Sequence, residues 1–202
     1  MGQLWVVAAP SGAGKTSLVN ALLDRLPGLR VSVSYTTRPP RPGEKTGENY
    51  FFVDVSEFER MIETHAFLEH AKVFGHYYGT EKKWVEEQLS KEIDIILEID
   101  WQGAQQIKAV MPDSLSIFIL PPSLKTLAAR LEKRAQDTKE VIEQRLREAT
   151  LEMSHCEEFD YLIVNDTFDT ALRELQLIIE SQRFLRKRQV QKYGTLLKNL
   201  RE

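Results

Sequence analysis

The chain has 202 residues and a net charge of −3. That is enough length for one α/β domain with inserted lobes and a sizeable core. The charge sets up no global field for nucleic acid, so none is expected as a partner. A single cysteine, Cys156, excludes an internal disulfide framework and fits a reducing cytoplasm, the expected location. No apolar run approaches the ~20 residues of a membrane span. Met1-Gly2-Gln3 leads straight into an apolar run, which leaves no room for a secretory leader, and Val6 breaks the myristoylation pattern. The four histidines lack metal-ligand spacing.

Leu4 to Ala8 has the composition of a buried strand, and Leu18, Leu22, Leu23 and Leu26 recur with helical spacing. Between them stands Ala9-Pro10-Ser11-Gly12-Ala13-Gly14-Lys15-Thr16, followed by Ser17. Strand, glycine-rich turn, Lys-Thr and helix form the phosphate-binding loop arrangement, here opening on Ala9 where the motif has glycine. The glycines let backbone N–H groups turn inward, and the helix start adds the positive end of its dipole. Lys15 reaches the outer phosphates of a nucleotide, and the Thr16 hydroxyl suits Mg²⁺.

Leu29 to Tyr35 alternates apolar and polar residues and predicts a half-buried strand. The proline-rich loop after it carries Arg38 and Arg41, which are either a solvated basic turn or a guanidinium pair for a phosphate dianion. Tyr50 to Val53 predicts a short strand. Ser56 with Glu59 predicts a capped helix whose apolar face is Phe58, Met61 and Ile62, with Glu69 at the far end of the segment. A glycine-bounded turn, Gly75 to Thr80, precedes a helix over 81–89. Residues 34–88 are therefore expected to form an inserted lobe, with 1–33 and 89–202 as the core domain.

Ile93 to Ile99 is the best candidate for a central parallel strand, ending in Glu98-Ile99-Asp100. A carboxylate at that end faces the loop where nucleotide-bound Mg²⁺ needs ligands, although a solvated strand end has the same sequence. Leu115 to Leu120 predicts another strand. Two Arg-rich helices come next, with Arg130 and Arg134 four apart, Arg145 on the second, and Asp137 with Glu140 as a capping box. They make a lid over about 125–150, or an ion-paired helix surface. Tyr161 to Val164 predicts the last strand, ahead of a long amphipathic helix. The tail from Arg183 holds seven basic residues and one acid, either a solvated helix end or an interaction tail.

Alternation of strands and helices predicts a mostly parallel sheet flanked by helices, an α/β fold of the P-loop NTPase type. The guanine signature of GTPases, Asn-Lys-x-Asp, is absent. Two phosphate sites and a lid instead point to phosphoryl transfer between two bound nucleotides. The chain resembles the guanylate kinases of bacteria. The resemblance rests on the phosphate-binding loop, Ser32 to Arg41, Gly43-Glu44, Tyr50-Phe51-Phe52, Tyr77-Tyr78-Gly79-Thr80, Asp100-Trp101-Gln102-Gly103, the stretch Arg130 to Arg145, and Val164-Asn165-Asp166. Two positions depart from that family's pattern, Glu98 for Asp and Ala135 for the lid glycine.

The resemblance implies ATP on residues 9–17 and GMP, or dGMP, in the inserted lobe, with ADP and GDP as products and a role in guanine nucleotide supply. It implies that Arg38, Arg41, Tyr50 and Tyr78 hold the GMP phosphate. Ser34, Glu69, Gly79, Thr80 and Asp100 would surround the guanine. Guanine shows adjacent N1–H and N2–H donors that one carboxylate accepts together, and an O6 that takes a hydroxyl donor. Lys15, Arg38, Arg134 and Arg145 would stabilise the transferring phosphoryl, with Mg²⁺ at Thr16 and Asp100. A homodimer is left open. Two alternatives are a scaffold module that has lost catalysis, and a kinase of similar fold acting on a ribosyl bisphosphate. Lys15, Thr16 and Arg38 speak against the first, and the arginine pair with Glu69 against the second.

Overall fold

The computed structural model describes residues 1–73, 75–134 and 139–202. Among the described residues, strands β1 (Leu4–Ala8), β2 (Leu29–Val31), β7 (Asp94–Glu98), β8 (Leu115–Leu120) and β9 (Tyr161–Val164) form a parallel sheet in the order β2-β7-β1-β8-β9. Period-2 alternation splits β1 between two cores. Trp5 and Val7 join Ile96, Ile117, Ile119 and Ile163 under α1 (Lys15–Arg25) and α7 (Phe168–Arg183). Leu4 and Val6 join Ile95 and Leu97 under α3 (Lys82–Ser90) and α4 (Trp101–Val110). With both faces covered, the strands are near-continuous apolar runs, and the carboxyl ends of β1 and β7 open together at the sheet's switch point.

A second, four-stranded sheet runs β4-β3-β6-β5, built from β3 (Tyr35–Thr36), β4 (Phe51–Phe52), β5 (Phe67–Val73) and β6 (His76–Glu81). Helix α2 (Val55–Glu63) covers it through Phe58, which stacks on Phe67 at 4.5 Å and on Tyr77 at 5.3 Å between ring centroids. The strand predicted over 29–35 is divided between the two sheets. Helix α2 is capped by Asp54 rather than Ser56, because the Asp54 carboxylate accepts from the Glu57 N–H at 2.7 Å and the Ser56 hydroxyl at 2.7 Å. Glu69 belongs to β5, where a register shift between Phe67 and Glu69 sets it opposite Thr80.

Helices α5 (Leu124–Arg134) and α6 (Lys139–Ser154) pack on each other through Leu127, Leu131 and Ala149. Ala135 and Asp137 lie outside the described residues. Beyond α7, helices α8 (Arg186–Lys192) and α9 (Gly194–Asn199) complete the chain. The start of this basic tail is tied down. Asp94, almost fully buried, accepts from Arg183 at 3.0 Å and from Arg188 at 2.7 Å. No helix among the described residues is long and apolar enough to cross a membrane.

Candidate active site

The loop between β1 and α1 takes the shape its glycines allow. Gly12 and Gly14 sit at φ 89° and 97°, where L side chains are strained. Gly14 is needed for a second reason, since a Cβ there would stand 2.5 Å from Asn165 Nδ2. That amide donates to the Ala13 carbonyl at 2.7 Å, and Arg130 donates to the Asn165 carbonyl at 3.0 Å. The loop's outward carbonyl is thus satisfied from β9 and α5, leaving its N–H groups for an anion. Arg130 serves here as a brace under the loop. Ser17 and Thr16 are on the first turn of α1, while Ala9, Pro10 and Ala13 pack inward.

Two side chains leave the loop toward the end of β7. Lys15 reaches the Ile99 carbonyl at 3.5 Å, and Thr16 donates to Glu98 Oε2 at 2.9 Å. Asp100 does different work. Its Oδ1 caps α4 by accepting the Gly103 N–H at 2.9 Å. Thr16 with Glu98 is thus an oxygen pair beside the loop that suits a hard cation, and Asp100 keeps its Oδ2 beyond the cap. Among the described residues no group of three or more His, Cys, Asp or Glu converges on a metal site.

Across the cleft, Arg38 is held before any ligand arrives. Its Nη2 donates to both carboxylate oxygens of Glu44, at 2.9 and 3.0 Å, its Nη1 donates to the Pro39 carbonyl at 2.7 Å, and the guanidinium lies 5.5 Å from the Tyr50 ring centre. Glu44 also accepts the Arg41 backbone N–H at 2.6 Å, while the residue Arg41 is exposed. The Arg38 bond pulls Glu44 below the usual carboxylate range and raises Arg38, which also feels the Tyr78 hydroxyl. Tyr50 and Tyr78 meet edge to face at 6.0 Å. Burial raises Tyr50, and the Glu98 charge acts on it from the opposite wall. Arg38, Tyr50 and Tyr78 thus form one cluster, close enough to the end of β7 for the Glu98 charge to act on Tyr50.

Glu69 stands deeper. It is 4% exposed, and Thr80 Oγ1 donates to its Oε1 at 2.6 Å. Its other oxygen points at the start of α4, where a Cβ on Gly103 would come within 2.9 Å of it; glycine at 103 is what admits the carboxylate. Burial pushes the Glu69 carboxyl up to about 7, with Asp100 adding to the rise and the Thr80 bond opposing it. Ser34 lies half-buried just before β3 and its carbonyl accepts from the Phe51 N–H at 2.9 Å, while Gly79 is packed against the Phe58 and Phe67 rings. Arg145 is half-buried on α6 and Arg134 ends α5.

The guanylate kinase family model matches residues 1–182. The chain belongs to the guanylate kinase family. It is 56% identical over 199 residues to the guanylate kinase of Alcanivorax borkumensis, covering 98% of this chain and 96% of that one. It is 55% identical over 201 residues to the guanylate kinase of Escherichia coli, covering 98% and 97%. The crystal structure of guanylate kinase from Anaplasma phagocytophilum superimposes with a TM-score of 0.77 at 36% identity, over 93% of this chain and 89% of that one.

Guanylate kinase membership does not by itself explain Glu44, Asn165 or Glu152, none of which has a site role predicted from its sequence context. Glu44 orients Arg38, and Asn165 seats the loop; a carboxylate three residues after Arg41 and an amide at a strand's carboxyl end are the signals that point to them. Glu152 carries no such local signal, since a helix face alone places it.

Proposed function

We propose that this chain transfers the γ-phosphoryl group of ATP to GMP or dGMP, giving ADP and the corresponding guanosine diphosphate. The observation that carries the substrate is the buried Glu69–Thr80 pair at 2.6 Å. A carboxylate accepts guanine N1–H and N2–H together; the Thr80 hydroxyl, whose single proton goes to Glu69 Oε1 in the free protein, would serve O6 only by turning that proton away from Glu69. Adenine would set a lone pair against the same carboxylate.

The remaining residues divide the work. The loop over 9–17 cradles the ATP phosphates, with Lys15 as a point charge on the outer ones. Arg38, freed from or sharing Glu44, grips the GMP phosphate with Tyr50 and Tyr78, and Arg41 swings in from the rim. Arg134 and Arg145 of the helix pair close over the transferring group. Mg²⁺, when bound, neutralises phosphate charge, with Thr16 and Glu98 as the fitting donors and Asp100 keeping α4 in register. The attacking atom is an oxygen of GMP itself, so no protein nucleophile is required. Residues 34–88 act as the acceptor lobe and 125–150 as the lid.

An ADP-release assay with ATP against GMP, dGMP, AMP, CMP and UMP tests this. Turnover confined to the guanine nucleotides is expected. Equal turnover with AMP would overturn the base assignment, and none with any acceptor would overturn the activity.

A further inference from the structure

Glu152 is a charged group at the loop with no task in the transfer just described. It lies on α6 near the helix end, and its Oε2 is closed to solvent and has no hydrogen-bond partner. The residues just beyond it fix its place. His155 stacks flat on Trp101, with ring centroids 3.6 Å apart and planes 5° from parallel, and its Nδ1 lies 2.6 Å from Glu158 Oε1. Trp101 directly succeeds Asp100, so the stack clamps the end of α6 over the head of α4.

One turn back from the clamp, the Glu152 carboxylate faces the nucleotide site. Lys15 of α1 and the Ser11 N–H of the loop attract it, while Asp100 and Glu148 repel it. Burial outweighs these and pushes its carboxyl up to about 7. A buried carboxylate with an unsatisfied oxygen is unfavourable, and it persists only where surrounding structure holds it. Here the holder is the Trp101–His155 clamp, and the neighbours that attract the carboxylate are the same Lys15 and loop N–H that a phosphate would use.

We propose that Glu152 is an internal anion of the phosphate loop. It stands where the distal phosphates of ATP must come, and nucleotide binding displaces it together with the end of α6. The inference rests on the reading of residues 9–17 as the ATP site. It makes Glu152 a residue that sets ATP affinity from the lid side: an anion already lies within the electrostatic reach of Lys15 and Ser11 in the free protein, and binding exchanges one anion for another.

The test is calorimetric titration of ATP, ADP and GMP, in EDTA, into wild type, Glu152→Gln and Glu152→Asp. Removing one like charge from beside the outer phosphates should tighten ATP about 3- to 10-fold. ADP should gain less, GMP should be unchanged, and Glu152→Asp should stay near wild type. The gain should shrink as KCl is raised, which a purely structural role would not produce. Equal or weaker ATP binding by Glu152→Gln, in a protein that still phosphorylates GMP, would overturn the inference alone. Wild type that binds no ATP would overturn the loop assignment with it. Glu152→Ala gives the same comparison should the glutamine variant fold poorly.

Discussion

Glu69 offers the sharpest test, because its burial makes guanine recognition depend on pH. With its carboxyl at about 7 in the free protein, the ionised fraction is about one-tenth at pH 6, one-half at pH 7 and nine-tenths at pH 8. Guanine's two donors need the ionised form, and apparent affinity scales with the competent fraction. GMP should therefore bind about ten-fold more tightly at pH 8 than at pH 6. The GMP phosphate also titrates near pH 6, tightening binding to any variant. Glu69→Gln separates the two effects: it keeps the shape, loses the titration, and turns one acceptor into a donor that confronts N1–H. The preference for GMP over AMP in wild type should be of order 10⁴–10⁵ and should fall steeply in the variant. Stability gives an independent sign. Glu69 is raised above its ordinary 4.5, so the folded state keeps the proton longer. Its contribution is full below about 4.5 and is lost as pH rises through about 7. Glu69→Gln should thus melt higher relative to wild type at pH 8 than at pH 4. Calorimetric GMP titrations from pH 6 to 8 in both proteins decide the matter. A wild-type-to-variant ratio that stays flat, with an unmoved GMP-to-AMP preference, would refute the assignment of Glu69 as base reader.

Lys15→Met keeps the stem and removes the charge, so turnover in the ADP-release assay should fall by roughly 10²–10³ with an unchanged melting curve. Arg38→Ala should weaken GMP far more than ATP in separate titrations, and Glu44→Gln, which loosens the charged hold on Arg38 Nη2, should raise the KM for GMP with a smaller effect on kcat. Asp94→Ala leaves the Arg183 and Arg188 guanidinium groups against a buried void. It should cost about 3 kcal/mol in urea unfolding, the low end for breaking a buried pair because Arg183 is partly exposed, with GMP kinase kinetics unaltered at a temperature where both proteins are folded.

The parallel core is legible in the sequence because its strands are apolar on both faces and are punctuated by caps, glycines and prolines. The phosphate loop is legible because its geometry depends on residues adjacent in the chain. The second sheet is less so: β3 and β4 are two residues each, shorter than any period can register, and their pairing partners are distant. Local pattern puts Glu69 at a helix's far end, because the bulge that turns it toward Thr80 has no sequence signature of its own. The tail has the composition of a solvated or interacting segment, and the decisive partner of Arg183 and Arg188 is Asp94, 89 and 94 positions away. The contacts that escape sequence reasoning share one property. Each pairs a polar side chain with a group brought near only by the fold, as Asn165 meets Ala13 across 152 positions.

The same property joins the two sheets. Strand β5 is joined to the core at α4, where Gln106 donates to the His70 carbonyl at 2.9 Å and accepts the His70 N–H at 3.1 Å. Glu69 precedes His70 and abuts Gly103 on the same helix, so the proposed base pocket sits at the seam between the sheets. Arg38 follows β3 and Tyr50 precedes β4, while Tyr78 is on β6, next to β5. On the proposed reading, guanine is recognised at this seam, beside α4. On that reading, acceptors that fail to satisfy Glu69 leave a buried carboxylate without guanine's two donors. Helix α4 gathers these contacts: Asp100 caps it beside the donor loop, Gly103 receives Glu69, and Gln106 holds β5.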